Sequence, residues 1–114
     1  MHELSIAQHI VDIVEEAVRP EPGAQVARVV VRIGRMVAVF PESLSFCYGA
    51  ITDGTALSGS ALVVEEVPVR VLCRTCGETT ELESFALRCG GCGGVDLKVT
   101  SGDEMLVSHI EVEQ

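Results

Sequence analysis

The sequence has few aromatic residues, with no tryptophan, one tyrosine and three phenylalanines among 114 residues. We therefore expect a core of Val, Leu, Ile and Ala, drawn from the 47% of residues that are hydrophobic. A chain of this length and composition is globular rather than disordered. It is expected to form one compact unit with at most a small appendage.

Basic residues are also scarce, since 8 Lys and Arg stand against 17 Asp and Glu for a formal net charge of −9. A nucleic-acid-binding protein must neutralise phosphates, so this balance argues against nucleic acid as a partner. No run approaches the roughly 18 apolar residues of a membrane span, and the N-terminus lacks the basic start and apolar centre of a secretion signal. We expect a cytoplasmic protein with no membrane partner.

Periodic patterns predict two helices and three strands. Apolar residues recur every three or four positions from Leu4 to Val18, which indicates an amphipathic helix that ends near Arg19. A second helix is expected from Pro41 to Asp53. Alternating apolar residues predict strands at 25–34, 60–72 and 106–112. The face proposed for the second strand contains Val63, Val67, Val69 and Val71.

These elements predict an α/β (α+β) fold in which two helices pack on a small three-stranded sheet. An inserted zinc-ribbon-like module with two Cys-x-x-Cys knuckles precedes the last strand. We place one domain at residues 1–67, completed by the C-terminal strand at 105–114, and the cysteine-bearing domain at 68–104.

Four cysteines form the strongest motif, since Cys73 and Cys76 are followed after twelve residues by Cys89 and Cys92. Each Cys-x-x-Cys can aim two sulfurs at one point, and the following glycines let backbone amides turn toward the thiolates. Four thiolates close the tetrahedral shell of zinc, so a structural Zn²⁺ site is expected. Two disulfide bonds between these cysteines are an alternative to a metal site. A rubredoxin-like iron centre would use similar knuckles.

The remaining candidate residues have simpler interpretations. Cys47 is expected to be a buried apolar residue, while His9 and His109 are expected to be solvated. The acidic pairs at 15–16 and 65–66 are predicted to lie on solvent-exposed faces. No nucleophile with an adjacent base can be identified, so we expect no catalytic residues and no enzyme.

The N-terminal Met1-His2-Glu3 predicts a second metal site. A bulky residue at position two normally prevents removal of the initiator methionine, so His2 is expected to stay second. Its imidazole and backbone nitrogen, with the terminal amine of Met1 and an atom of Glu3, can surround a square-planar Ni²⁺ or Cu²⁺ ion. Taken alone this signal is weak, because most residues at position two are simply exposed.

Three motifs together resemble the HypA/HybF family of hydrogenase maturation proteins over the whole chain. They are the opening Met-His-Glu-Leu-Ser, the double cysteine knuckle, and Gly-Asp-Glu-Met at 102–105 leading into Ile-Glu-Val at 110–112. The resemblance implies a nickel metallochaperone that assists nickel insertion into the large subunit of nickel-iron hydrogenase. Its nickel ligand carries over to His2, with support from Met1 and Glu3. Its zinc ligands carry over to Cys73, Cys76, Cys89 and Cys92.

The resemblance also implies partners, namely a HypB-type GTPase and the precursor of the hydrogenase large subunit. It leaves open a role with urease maturation proteins. The sequence has no Gly-x-x-x-x-Gly-Lys loop, so GTP chemistry is expected in another chain. The competing hypothesis is a zinc-ribbon adaptor that holds an assembly together without carrying nickel.

Overall fold

The computed structural model describes residues 3–83 and 87–113. The chain divides into two compact units, the first comprising residues 1–32, 39–65 and 106–114 and the second 33–38 and 66–105. The elements in chain order are α1 (Glu3–Val18), β1 (Gln25–Gly34), a 3-10 turn (Arg35–Val37), α2 (Pro41–Thr52), β2 (Ala61–Val67), β3 (Val69–Cys73), β4 (Thr79–Leu82), β5 (Leu97–Ser101) and β6 (Met105–Glu113). Neither described helix has the length and apolar character needed to cross a membrane.

The predicted fold class is confirmed, because two helices accompany a three-stranded sheet with the order β2-β1-β6. The helices α1 and α2 pack against each other. A second three-stranded sheet, with the order β4-β3-β5, was not predicted from the sequence.

The prediction of a single strand at 60–72 is wrong. The structure has two strands there, β2 and β3, which belong to different sheets. Pro68 lies between them and has no amide hydrogen to donate to a sheet ladder, so pairing changes at this residue. The valines expected on one face are therefore divided between two sheets.

The core of the first unit is aliphatic apart from one tyrosine and one threonine. Helix α2 buries Leu44, Tyr48 and Thr52, which are four residues apart and share one face. The Tyr48 hydroxyl lies 2.6 Å from the Ser60 hydroxyl, and the Thr52 hydroxyl donates to the Tyr48 carbonyl at 2.8 Å, so both buried polar groups have partners. From α1 the buried residues are Ile6, Ala7, Ile10, Val11 and Val14. Leu4, expected in the apolar stripe, is instead exposed.

In the second unit, β3 pairs antiparallel with both β4 and β5. Residues 33–38 join this unit through backbone hydrogen bonds: the Gly34 amide donates to the Glu104 carbonyl at 2.7 Å, and the Met36 amide donates to the Gly102 carbonyl at 2.9 Å. Gly102 has a φ of +99°, and a Cβ atom there would lie 2.5 Å from the Val69 Cα. Both the conformation and the close approach require glycine.

Replacement of Gly102 by alanine should destabilise the protein far more than the same change at Gly59. Gly59 has a similar φ of +85° with nothing near its missing Cβ, so Gly59→Ala should cost only the strain of a left-handed residue, about 1–2 kcal/mol. Gly102→Ala adds a backbone clash and should cost roughly 2 kcal/mol more. Thermal and urea unfolding of the full chain measure the difference. Equal losses would mean that the Gly102 contact adds nothing.

Candidate metal centre

The two cysteine pairs fold into matching knuckles. In the first, the Cys73 amide donates to the Glu78 carbonyl at 2.8 Å and the Gly77 amide donates back to the Cys73 carbonyl at 2.9 Å. In the second, the Cys89 amide donates to the Gly94 carbonyl at 2.9 Å and the Gly93 amide to the Cys89 carbonyl at 3.0 Å. Both turns close through a glycine of positive φ, which explains the glycine four residues after each leading cysteine.

The knuckles direct backbone amides at sulfur. The amides of Cys76 and Cys92 each lie 3.4 Å from the Sγ of the cysteine three residues earlier, Cys73 and Cys89. The Gly91 amide is 3.3 Å from the Cys89 Sγ, and the Gly94 amide is 3.4 Å from the Cys92 Sγ. These donors stabilise negative charge on sulfur.

All four cysteine sulfurs lie within 4.8 Å of one another. The Sγ atoms of Cys73 and Cys92 are 3.7 Å apart, and those of Cys76 and Cys89 are 3.5 Å apart. No disulfide joins them. A tetrahedral ion with metal–sulfur bonds of about 2.3 Å requires sulfur separations of about 3.8 Å, so the four residues fit a single metal ion.

The thiol pKa values differ within each close pair of sulfurs. The amides of Cys92 and Gly91 lower the pKa of Cys89 to about 6. The Glu78 amide acts to lower the pKa of Cys76, but the neighbouring thiols, Cys89 first, and burial raise it to about 12. In the other pair the pKa of Cys73 is lowered, chiefly by the Cys76 amide. The Gly94 amide acts to lower the pKa of Cys92, but the thiols of Cys73 and Cys89, Cys73 first, and burial raise it. Because a raised pKa keeps the proton on Cys76 and Cys92, a metal ion bound by all four sulfurs must displace those protons.

The second sheet positions one knuckle through a contact that sequence reasoning missed. The Gly90 amide donates to the Thr80 hydroxyl on β4 at 3.0 Å, and a Cβ at Gly90 would lie 3.1 Å from the Thr80 methyl carbon. Arg74 on the first knuckle pairs with Asp96 at 3.1 Å, although both side chains are more than half exposed. Such a pair contributes little on its own.

The other candidate residues are not part of the cysteine cluster. His109 is exposed and contacts Ser108 and Glu111, each at 3.3 Å, as expected of a solvated side chain. His9 is also exposed and lies in an open surface depression with Leu4, Ser5, Gln8 and Asp12. Cys47 is only partly buried, less than expected.

Within the part of the chain that the structure describes, the four cysteines are the one group of three or more metal-ligating side chains close enough to share an ion. The expected nickel ligand His2 and its supporting residue Met1 lie outside the described residues. Glu3 is the first residue of α1 and is partly exposed.

The fold and the sulfur cluster define a small α+β metal-binding protein. A family model described as "Hydrogenase/urease nickel incorporation, metallochaperone, hypA" matches residues 1–112. A hydrogenase maturation factor HypA from Nostoc sp. (strain PCC 7120 / SAG 25.82 / UTEX 2576) is 40% identical over 114 residues, which cover 100% of this chain and 97% of that protein. One from Dechloromonas aromatica (strain RCB) is 38% identical over 113 residues, which cover 99% and 100%.

Two solved structures share the fold. The solution structure of the Ni metallochaperone HypA from Helicobacter pylori has a TM-score of 0.68 at 21% identity, covering 98% of this chain and 97% of that one. A second solution structure of a HypA protein has a TM-score of 0.72 at 21% identity, covering 99% and 97%.

The chain therefore belongs to the HypA family of hydrogenase and urease nickel-incorporation metallochaperones, which confirms the resemblance seen in the sequence. Membership identifies a nickel metallochaperone of hydrogenase maturation, not a catalytic enzyme.

Replacement of any one of Cys73, Cys76, Cys89 or Cys92 by alanine should lower the metal content of the purified protein and its thermal stability. Loss of a direct ligand should weaken binding at least as much as loss of an outer-shell partner, which costs about 10- to 100-fold. Cys47→Ala is the matched control and should retain full metal content. Elemental analysis beside thermal unfolding measures both effects, and unchanged metal content in the four variants would contradict the site.

Proposed function

We propose that this chain carries Ni²⁺ at its N-terminus and holds a structural Zn²⁺ ion in the four-cysteine site. The family match from residue 1 to residue 112 is the observation that carries the proposal, because it includes Met1-His2-Glu3 as well as both knuckles. The nickel is cargo for the large subunit of [NiFe]-hydrogenase. The zinc ion stays with the protein.

The donor set of the cysteine site supports zinc. Four thiolates suit a borderline-soft, tetrahedral ion and leave no position for water or a second ligand. Such a site, held by Cys73, Cys76, Cys89 and Cys92, stabilises the second unit without taking part in exchange. Iron could occupy similar knuckles, and visible absorption of the purified protein distinguishes the two, since the zinc form is colourless.

A carrier needs donors that can release their ion, and the closed sulfur set does not meet this need. The chain contains three histidines. His109 lies on β6 and contacts Ser108 and Glu111, and among the described residues no second histidine or cysteine lies beside His9 in its surface depression. His2 is left as the favoured nickel ligand, with Met1 and Glu3 in supporting roles. Protons compete for the Met1 amine and for the backbone amide and imidazole nitrogens of His2, so acid should release the nickel.

The two ions then correspond to two domains. Residues 1–67, completed by the C-terminal strand at 105–114, form the nickel-binding domain, and residues 68–104 form the zinc-binding domain. Nickel incorporation requires other maturation factors, for which we propose a HypB-type GTPase and the hydrogenase large-subunit precursor. Urease maturation proteins are further candidates, because the family description includes urease.

Nickel titration into untagged protein should reveal one site that His2→Ala abolishes, while zinc content and fold remain. The matched controls are His9→Ala on α1 and His109→Ala on β6, which should retain native nickel affinity. Extension of the N-terminus by a few residues should also weaken binding, because it converts the amine into an amide. Calorimetry and absorption spectroscopy report the binding, and equal affinity in His2→Ala would exclude the assignment.

In cells, deletion of this chain should leave hydrogenase poor in nickel and unprocessed, and excess nickel in the medium should partly restore activity. By mass action, abundant nickel reaches the precursor with less need for a carrier. A zinc-ribbon adaptor that only holds an assembly together predicts no recovery at any tolerated nickel concentration. Hydrogenase activity and bound nickel, measured across a nickel series in deletion and His2→Ala strains, separate the two functions.

A further inference from the structure

Helix α2 has one buried face and one face without a described partner. Leu44, Tyr48 and Thr52 fill the buried face. At 100° per residue, Phe46 points to the opposite side, where 78% of its surface is exposed. The other residues on this outer face are all exposed: Glu42, Ser43, Gly49, Ala50 and Asp53.

The position of Phe46 is unusual for this protein. The chain has three phenylalanines, and the two in the described residues, Phe40 and Phe46, are 72% and 78% exposed while the core is otherwise almost entirely aliphatic. Phenylalanine is among the residues most often buried. Next to Phe46, a Cβ at Gly49 would meet nothing within 4 Å, so Gly49 and Ala50 form a low, open surface beside the ring. A second backbone can approach closely there.

Carboxylates flank this apolar centre at both ends. Glu42 lies in the first turn of α2, and Asp53 caps its last turn. Among the residues that the structure describes, neither has an ion-pair partner. The first unit also carries most of the acidic excess of the chain, and its basic residues are Arg19, Arg28 and Arg32.

This charge distribution favours a basic partner over a second copy of the chain. A second copy packed antiparallel through the same face would bring Glu42 of one chain toward Asp53 of the other, and like charges across an interface oppose association. A basic partner gains attraction at both ends of the face and an apolar anchor at its centre.

We propose that the outer face of α2 docks a basic amphipathic helix of a partner protein. The apolar stripe of that helix lies over Phe46, Gly49 and Ala50, and its Lys or Arg residues lie toward Glu42 and Asp53. From Glu42 to Asp53 the face is about 16 Å long, which matches roughly three turns of helix. None of the residues of this surface is among those proposed to bind metal, and the inference does not rest on nickel binding.

The test uses the full-length zinc-loaded protein, isotope-labelled for NMR, and a synthetic probe. The probe is a helix-forming peptide of about 14 residues with leucine along one face and lysine elsewhere, long enough to span the α2 face. Its scrambled version keeps the charge but destroys the apolar stripe. Backbone shift changes should map to residues 42–53 with the amphipathic peptide and be much smaller with the scrambled one.

Matched variants test whether the apolar centre and the flanking carboxylates each contribute to binding. Phe46→Ser should weaken binding at least about tenfold, as expected for a central anchor. Phe40→Ser, which changes a similarly exposed residue that precedes the helix, should weaken it much less. The double change Glu42→Gln with Asp53→Asn should weaken binding and its salt dependence, whereas Glu21→Gln, an exposed acid after α1, should leave both unchanged.

Three results would overturn the inference. They are equal binding of the scrambled peptide, equal losses from Phe46→Ser and Phe40→Ser, and shift changes outside α2. Sedimentation that shows a dimer dissociated by Phe46→Ser would instead assign the face to a second copy. Circular dichroism of each variant confirms that α2 remains folded.

Discussion

Four cysteine sulfurs within 4.8 Å of one another cannot all carry negative charge unless a cation lies among them. The backbone reduces this repulsion by directing amides at Cys73, Cys89 and Cys92. These amides do not remove the repulsion, because the pKa values of the Cys76 and Cys92 thiols remain raised. A metal ion bound here would supply the missing positive charge at the point where β3 ends at Cys73 and both knuckles close.

The clustering of four sulfurs around one cation also explains why the proposed function assigns zinc and nickel to different sites. A shell of four thiolates holds its ion firmly and offers no open position, which suits a structural ion and not a cargo that must leave. Nitrogen donors at a chain terminus are exchangeable and favour the square-planar geometry of Ni²⁺. The family's role in nickel incorporation is consistent with this division, since a metallochaperone must release what it carries.

Strong local patterns were enough to predict much of this protein. The bounds of β1 and α2 were close to those observed because the apolar periodicity is regular and Pro41 opens the helix. The cysteine spacing alone identified four residues that the fold brings together. Strands β4 and β5 were missed because each has at most five residues with a mixed pattern. The break at Pro68 was missed because valines continue the alternation on both sides of it, and the Thr80 contact with Gly90 depends on tertiary pairing that no local pattern contains.

X-ray absorption at the nickel and zinc edges of full-length protein loaded with one equivalent of each metal tests the central claim most directly. The zinc spectrum should show four sulfur neighbours at about 2.3 Å. The nickel spectrum should show only nitrogen and oxygen neighbours, in the pattern of a square-planar ion. Sulfur neighbours around nickel, with zinc displaced from the cysteines, would contradict the assignment of a closed structural site and a separate N-terminal cargo site.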